Sequence, residues 1–256
     1  MMNVDEAVDI LWDHLQRGEY FPEALKGALT LEDGYRAQLG VLGRWVAAGE
    51  QQAGWKIALS GAATRQAIGI DAPAFGYLLE RGHYTDGASF QLDGMINPAI
   101  ESELCITMAK TLKGPGVTRE QVIDALGQVA PSFELVSLRG NLAADLPLGV
   151  ADNIAQWGFV TGDALAPYPK ELDLADMTVE IHKNGEVIER VRGGDALDDQ
   201  IDSITWLVNE LGKYDVALEA GHHIMSGAFV KPLPLTKGDA WQTHFSSVGT
   251  IRADFS

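Results

Sequence analysis

The chain has 256 residues, of which 46% are hydrophobic, and its formal net charge at pH 7 is −17. This is the composition of a globular protein with a sizeable core, and its acidic surface argues against binding to nucleic acid or to anionic membranes. A single cysteine, Cys105, excludes an internal disulfide framework, and without a signal-peptide or membrane-span pattern we expect a cytoplasmic protein.

The N-terminal part of the sequence predicts helices. Val8, Leu11 and Leu15 recur at helical spacing, and the periodic stretch "LEDGYRAQLGVLGRWVAAGE" follows Pro22, which separates the two segments. We therefore predict a small helical N-terminal region over residues 1–52.

Residues 53–256 show mainly strand patterns. "GWKIALSG", "AIESELCITMA", "SFELVSL", "WGFVTGD", "HHIMSGAF", "AWQTHFS" and "GTIRADF" each predict a strand. Asn184 and Gly185 between two alternating segments predict a type I′ hairpin. A helix over "TREQVIDALGQV", with a capping box at Thr118 and Gln121, is expected to connect two adjacent strands as a crossover. The prediction is an α+β fold with a β-rich body.

The strand "NPAIESELCIT" carries two acidic residues on one face. Glu101 and Glu103 point the same way because strand side chains alternate, whereas Ile100 and Leu104 point into a core. One interpretation is a solvated acidic face. The other is a divalent-cation site, which relieves the repulsion between like charges. Glu134, the one acidic residue of the strand "SFELVSL", is the candidate third ligand.

Several other residues are candidates for binding an anionic ligand. Lys56 lies inside the apolar strand "WKIAL", either as an edge residue reaching water or as a cation that binds a carboxylate or enolate. Ser60 precedes a predicted helix N-terminus, which favours anions, and Ser226 with Gly227 permits close backbone approach. The neighbouring histidines His222 and His223 would face opposite sides of a strand, which is poor geometry for joint metal binding.

Ordered motifs over some 200 residues resemble the fumarylacetoacetate hydrolase superfamily. "GWKIALSGAATRQAIGIDAPAFGYLLE", "INPAIESELCI", "APSFELVSLR", "GVADNIAQWGFVTGD" and "LVNELGKYDVALEAGHHIMSGAFVKPLPLTKGD" are similar to segments of its 2-oxopent-4-enoate (2-hydroxypenta-2,4-dienoate) hydratases and 4-oxalocrotonate decarboxylases. The resemblance implies a β-rich mixed roll, like the C-terminal domain of fumarylacetoacetate hydrolase, behind a small helical domain.

The resemblance also implies roles for individual residues. It makes Glu101, Glu103 and Glu134 ligands of Mg²⁺ or Mn²⁺, and Lys56 the active-site lysine. Glu80 remains from an acidic pair of the family and is the candidate acid/base group.

Further positions bear on the substrate. Lys231 stands where hydratases of longer diacids carry a cation, so a diacid substrate stays open. Ala58, Ala74 and Ala228 depart from the family pattern near the expected substrate pocket, which leaves the substrate's identity open.

The function implied by the resemblance is hydration of a 2-hydroxy-2,4-dienoate to a 4-hydroxy-2-oxo acid in aromatic meta-cleavage catabolism. Decarboxylation of a 4-oxalocrotonate-type diacid is the main alternative. Acylpyruvate-type C–C hydrolysis and a non-catalytic partner subunit are the others. The expected partner is a small anionic 2-oxo acid, within a homo-oligomer or an assembly of paired hydratase and decarboxylase subunits.

Overall fold

The computed structural model describes residues 2–256. The helices are α1 Val4–Gln16, α2 Leu31–Ala47, α3 Ala62–Ile68, α4 Arg119–Ala125, α5 Leu146–Ala151, α6 Gly193–Ala196 and α7 Gln200–Gly212. The strands are β1 Gln52–Ala58, β2 Ala74–Leu79, β3 His83–Thr85, β4 Ala88–Phe90, β5 Pro98–Met108, β6 Leu126–Ser137, β7 Gln156–Thr161, β8 Thr178–Lys183, β9 Glu186–Arg192, β10 His223–Met225, β11 Leu233–Pro234, β12 Ala240–Phe245 and β13 Gly249–Phe255. The predicted α+β class is confirmed.

The strands form two sheets that pack against each other. The eight-stranded sheet has the order β2-β1-β10-β5-β6-β7-β3, with β11 also paired to β5, and the five-stranded sheet has the order β4-β13-β12-β8-β9. Ile100, Leu104 and Ile106 are buried on one face of β5. On that face the hydroxyl of Ser102 lies 2.8 Å from that of Thr243 in β12. The glutamates of β5 therefore lie on the opposite face.

Two N-terminal helices rest on this β-rich body. Thr30 and Asp33 form a capping box that starts α2. Gln38 of α2 is fully buried, and its amide donates hydrogen bonds to the carbonyl oxygens of Phe75 (3.0 Å) and Val150 (2.7 Å). These bonds fasten the helical region to the remainder of the chain. A domain boundary near residue 52 stays a prediction.

The strongest local predictions are confirmed. Asn184 and Gly185 both have positive φ, 53° and 82°, as a type I′ turn requires, and they connect β8 to β9. The capping box of Thr118 and Gln121 is present at the start of α4.

Two predicted elements differ from the structure. The stretch after Ala125 belongs to β6 rather than to α4, and β6 pairs with β5 in antiparallel register. An antiparallel neighbour needs a return connection, not a crossover. The strand predicted over "HHIMSGAF" is limited to β10, because Gly227 adopts a φ of 113° and turns the chain away.

In the described residues, no helix has both the length and the apolar character needed to cross a membrane.

Candidate metal centre

The register of β5 and β6 brings three glutamates together. Glu101 is the cross-strand partner of Glu134, and Glu103 is the partner of Ser132 on the same face. One carboxylate oxygen from each glutamate lies within 4.8 Å of the others. Glu103 and Glu134 are 1% exposed, so the solvated acidic face considered from the sequence does not apply to them.

Lys56 joins this cluster from β1. That strand is interior, between β2 and β10, so Lys56 is not an edge residue. Its side chain is 3% exposed, and its Nζ lies 2.8 Å from Oε1 of Glu134. The lysine cannot reach bulk water, and its position matches the alternative in which it supplies positive charge inside the site.

The segment after β10 forms a hydrogen bond with the carboxylate of Glu103. The backbone N–H of Gly227 donates a 2.9 Å hydrogen bond to Oε2 of Glu103. A side chain at position 227 would meet Ser60, since an added Cβ would lie 2.4 Å from its hydroxyl oxygen. Gly227 thus allows the predicted close approach of the backbone. The group that its N–H contacts is the carboxylate of Glu103 and not a ligand.

Burial and mutual repulsion control the protonation of the cluster. Burial, together with Glu134, raises the pKa of Glu101 to about 7, against the opposing effect of Lys56. Burial and the neighbouring carboxylates raise the pKa of Glu103 well above its ordinary value. Burial would lower the pKa of Lys56, but Glu134 and Glu101 outweigh it and raise that pKa. The ammonium is therefore charged at neutral pH.

The charges and donor atoms of this cluster fit a divalent cation. Three carboxylates and one ammonium leave a net charge of −2 when all are ionised, which an ion of charge +2 balances. Oε1 of Glu134 is buried and has no aligned hydrogen-bond donor among the described residues, although it contacts Lys56 as an ion pair. Carboxylate oxygens are the ligands that Mg²⁺ and Mn²⁺ prefer.

The cluster opens into a cavity of about 360 Å³. Its wall is mostly apolar and includes Ile57, Leu59, Leu142, Ile154 and Phe229. Ser60 and Lys231 line it, as do two of the positions that depart from the family pattern, Ala58 and Ala228. The cavity therefore offers a charged end at the glutamates and an apolar passage for a carbon chain.

Two lining residues were missed from the sequence. Arg139 and Asp152 form a buried ion pair, with Nε of the guanidinium 2.9 Å from the carboxylate. Both lie on the cavity wall. Asp152 belongs to the "VADN" segment, which carries part of the family resemblance. This segment could have identified Asp152 as a candidate site residue from the sequence.

The structure does not place two predicted residues in the cavity. Ser226 is fully buried, and its hydroxyl donates to the carbonyl of Leu104 (2.8 Å) and accepts from Gln200 (2.9 Å). Gly227 and Ser226 thus shape the wall behind Glu103 rather than face a ligand.

Glu80 is also outside the cavity, contrary to its predicted acid/base role. It follows β2, which runs antiparallel to β1 with Leu79 opposite Gln52. This register places Glu80 beyond the start of β1, whereas Lys56 and the cavity lie toward the other end of that strand. Its carboxylate is near His83 instead, 3.7 Å from Nδ1.

Glu101→Gln is expected to stabilise the metal-free protein by about 3 kcal/mol at pH 8. The folded-state pKa of Glu101 is raised from 4.5 to about 7, so the folded state holds this proton more tightly than the unfolded chain. The wild type should therefore lose stability, relative to Glu101→Gln, as pH rises from 4.5 to 7. Urea unfolding in excess chelator at pH 4.5 and pH 8 measures the difference. A gap that is equal at both pH values would contradict the raised pKa of Glu101 in the folded state.

Several known enzymes are similar to this chain in sequence and in structure. No family model matches it. The 2-hydroxyhexa-2,4-dienoate hydratase of Comamonas testosteroni is 33% identical over 231 residues, which cover 89% of this chain and 87% of that enzyme. The 2-oxo-hept-4-ene-1,7-dioate hydratase of Escherichia coli is 32% identical over 234 residues, with 89% and 87% covered.

A solved structure matches the entire fold. The 4-oxalocrotonate decarboxylase of Pseudomonas putida G7, complexed with magnesium and adipate, superposes with a TM-score of 0.91 at 26% identity and covers 100% of this chain and 99% of that one. The same enzyme complexed with calcium and acetate gives the same TM-score at 27% identity. The predicted fold type is confirmed by this likeness.

Proposed function

The chain belongs to the family of 2-hydroxydienoate hydratases and 4-oxalocrotonate decarboxylases, within the fumarylacetoacetate hydrolase superfamily, and we propose that it is a divalent-metal-dependent hydratase. Its substrate would be a 2-hydroxy-2,4-dienoate and its product a 4-hydroxy-2-oxo acid. The observation that carries this proposal is the cluster of Glu101, Glu103 and Glu134 beside Lys56, at the charged end of an apolar cavity.

The three glutamates would hold Mg²⁺ or Mn²⁺. When bound there, the ion supplies a Lewis acid for a 2-oxo acid's carboxylate and C2 oxygen. The same-fold decarboxylase was solved with magnesium, which supports a divalent ion. The oxygen-only donor set admits either metal.

The reaction requires negative charge to be stabilised at the substrate's C2 oxygen. The dienol first loses its hydroxyl proton and gains a proton at C5, which gives an enone. Water then adds its oxygen to C4, and a proton is delivered to C3. In both steps charge develops at the C2 oxygen, and the fixed ammonium of Lys56 contributes electrostatic stabilisation there.

Proton transfer needs a titratable group on the cavity wall. Besides the glutamate cluster, the titratable lining residues of the described chain are Lys56, Arg139, Asp152 and Lys231. Burial raises the pKa of Asp152 to about 6, with Arg139 acting in the opposite direction. A carboxyl group with a pKa near the working pH is suited to acid/base catalysis. We therefore propose Asp152 for the role that Glu80 cannot fill from its position.

Decarboxylation of an oxalocrotonate-type diacid is the second candidate function. The whole-chain likeness to a decarboxylase favours it, and Lys231 on the cavity wall offers a cation for a second carboxylate.

Acylpyruvate-type hydrolysis is less supported, because no histidine of the described residues lines the cavity to activate water. A non-catalytic partner subunit is disfavoured by the intact glutamate cluster. The homo-oligomer, a paired subunit and the cytoplasmic location remain proposals.

Assay of the purified protein with Mg²⁺ separates these functions. We expect 2-hydroxypenta-2,4-dienoate to be consumed with formation of 4-hydroxy-2-oxopentanoate and without CO₂ release. Release of CO₂ from 4-oxalocrotonate, with no hydration of the dienoate, would replace the hydratase assignment by the decarboxylase. An inactive but folded protein on both substrates would indicate a non-catalytic partner.

Lys231→Ala tests the distal end of the substrate in the same assay. Loss of one charge contact should raise KM for a diacid substrate about tenfold, which corresponds to about 1.4 kcal/mol. KM for the monoacid should not change. Lys110→Ala is the matched control, because Lys110 is exposed and outside the cavity.

A further inference from the structure

A second cluster of metal-binding side chains lies outside the cavity. It consists of Glu80 in the turn after β2, His83 at the start of β3 and His223 at the start of β10. One ligand atom from each lies within 4.8 Å of the other two. The two imidazole rings are 4.9 Å apart between centroids and inclined at 61°. We propose that these three residues bind a transition metal ion of the Zn²⁺ type.

The histidines are held in orientations suited to metal binding. Nε2 of His83 is hydrogen-bonded to the hydroxyl of Thr161 at 2.8 Å, and Nδ1 of His223 to that of Thr107 at 3.0 Å. Metal-binding histidines generally have their second ring nitrogen fixed in this way. The ring of His83 also stacks on Phe159, with centroids 4.5 Å apart. Nδ1 of His83 and Nε2 of His223 remain as the ligand atoms.

The donor set selects the class of metal. Two imidazole nitrogens and one carboxylate suit Zn²⁺ with an open fourth position, whereas Mg²⁺ prefers oxygen donors alone. Bond lengths of about 2.0–2.1 Å require ligand atoms roughly 3.3 Å apart. The side chain of Glu80 is 46% exposed, so its carboxylate can move the short distance toward the two histidines that these bond lengths require.

This cluster is separate from the glutamate centre. His223 pairs with Thr107, four residues along β5 from Glu103, which places it on the order of 13 Å away. Cys105 lies between these positions on β5 and is buried in one apolar cluster with Phe159 and Met225. The two sites share no ligand, so a metal in one does not require a metal in the other.

Zn²⁺ binding to the Mg²⁺-saturated protein tests the proposal, with equilibrium dialysis counting the bound ions. His83→Gln, His223→Gln and Glu80→Gln should each remove one equivalent of Zn²⁺ relative to the wild type, or weaken it at least tenfold. His244→Gln is the matched control, because His244 is exposed and outside the cluster. Glu103→Gln should keep this equivalent.

Cobalt gives an independent readout of the ligands. Co²⁺ bound in place of Zn²⁺ should show the visible absorption of a nitrogen-ligated, low-coordinate site, and this absorption should disappear in the same three variants. Because Glu80 is exposed, Glu80→Gln keeps its fold even if a histidine variant does not. Unchanged Zn²⁺ stoichiometry and Co²⁺ absorption in Glu80→Gln and in the folded histidine variants would overturn the proposal, as would a wild type that binds no such ion.

Discussion

Replacement of Glu103 by glutamine is expected to lower kcat by about 10³-fold while the protein remains folded. The substitution removes one of three converging carboxylates but keeps an oxygen that accepts the hydrogen bond from the backbone of Gly227. The metal-free fold should hold or gain stability, because one buried charge is removed from a repelling cluster.

Steady-state kinetics over a range of Mg²⁺ concentrations, with circular dichroism of the same samples, measures the effect of Glu103→Gln. Glu189→Gln is the matched control, because Glu189 is exposed on β9, and it should retain wild-type kinetics. Near-normal turnover of Glu103→Gln at saturating Mg²⁺ would show that this carboxylate is not a required ligand.

Lys56→Met is expected to lower kcat about 10²-fold without weakening the binding of Mg²⁺. Methionine approximates the length of the lysine stem in a site that is 3% exposed, but it removes the positive charge next to the C2 oxygen of the proposed substrate. Loss of the ammonium also leaves Glu134 without its ion-pair partner, so the glutamate cluster becomes more negative and should bind a cation more tightly.

Lys56→Met should lower kcat and strengthen Mg²⁺ binding. Because the two quantities change in opposite directions, a catalytic role of Lys56 can be distinguished from support of the metal ligands. Calorimetry gives the Mg²⁺ affinity, and kinetics at saturating Mg²⁺ gives kcat. Lys110→Met, at an exposed position, is the control and should change neither quantity. If kcat falls only as far as Mg²⁺ binding weakens, Lys56 merely supports the metal ligands.

The pairing of Glu101 with Glu103 was predictable because strand alternation alone puts residues two apart on one face. The burial of Lys56 was not, because it depends on β1 being interior in the sheet, and its strand neighbours β2 and β10 come from separate parts of the chain. A local pattern identifies a strand but does not report what lies on either side of it.

Register explains why Glu80 lies outside the cavity and why two lining residues were missed. Glu80 lies near a family motif in sequence, yet the antiparallel pairing of β2 places it beyond the start of β1 and away from the cavity. Its cluster with His83 and His223 depends on three elements whose proximity is a property of the whole sheet. Asp152 and Arg139 likewise become partners only when α5 and the end of β6 meet.

The central claim is that an anionic 2-oxo acid binds through a divalent ion held by the three glutamates. Calorimetric titration with oxalate, a planar mimic of the charged substrate end, tests it most directly. In Mg²⁺, oxalate should bind and inhibit competitively. In excess chelator, no bound ion offers coordination positions to the anion and the ionised glutamates of the cluster repel it, so no binding should be detected. Equal affinity for oxalate in Mg²⁺ and in chelator would mean that protein cations alone hold the anion, which contradicts the proposed role of the glutamates.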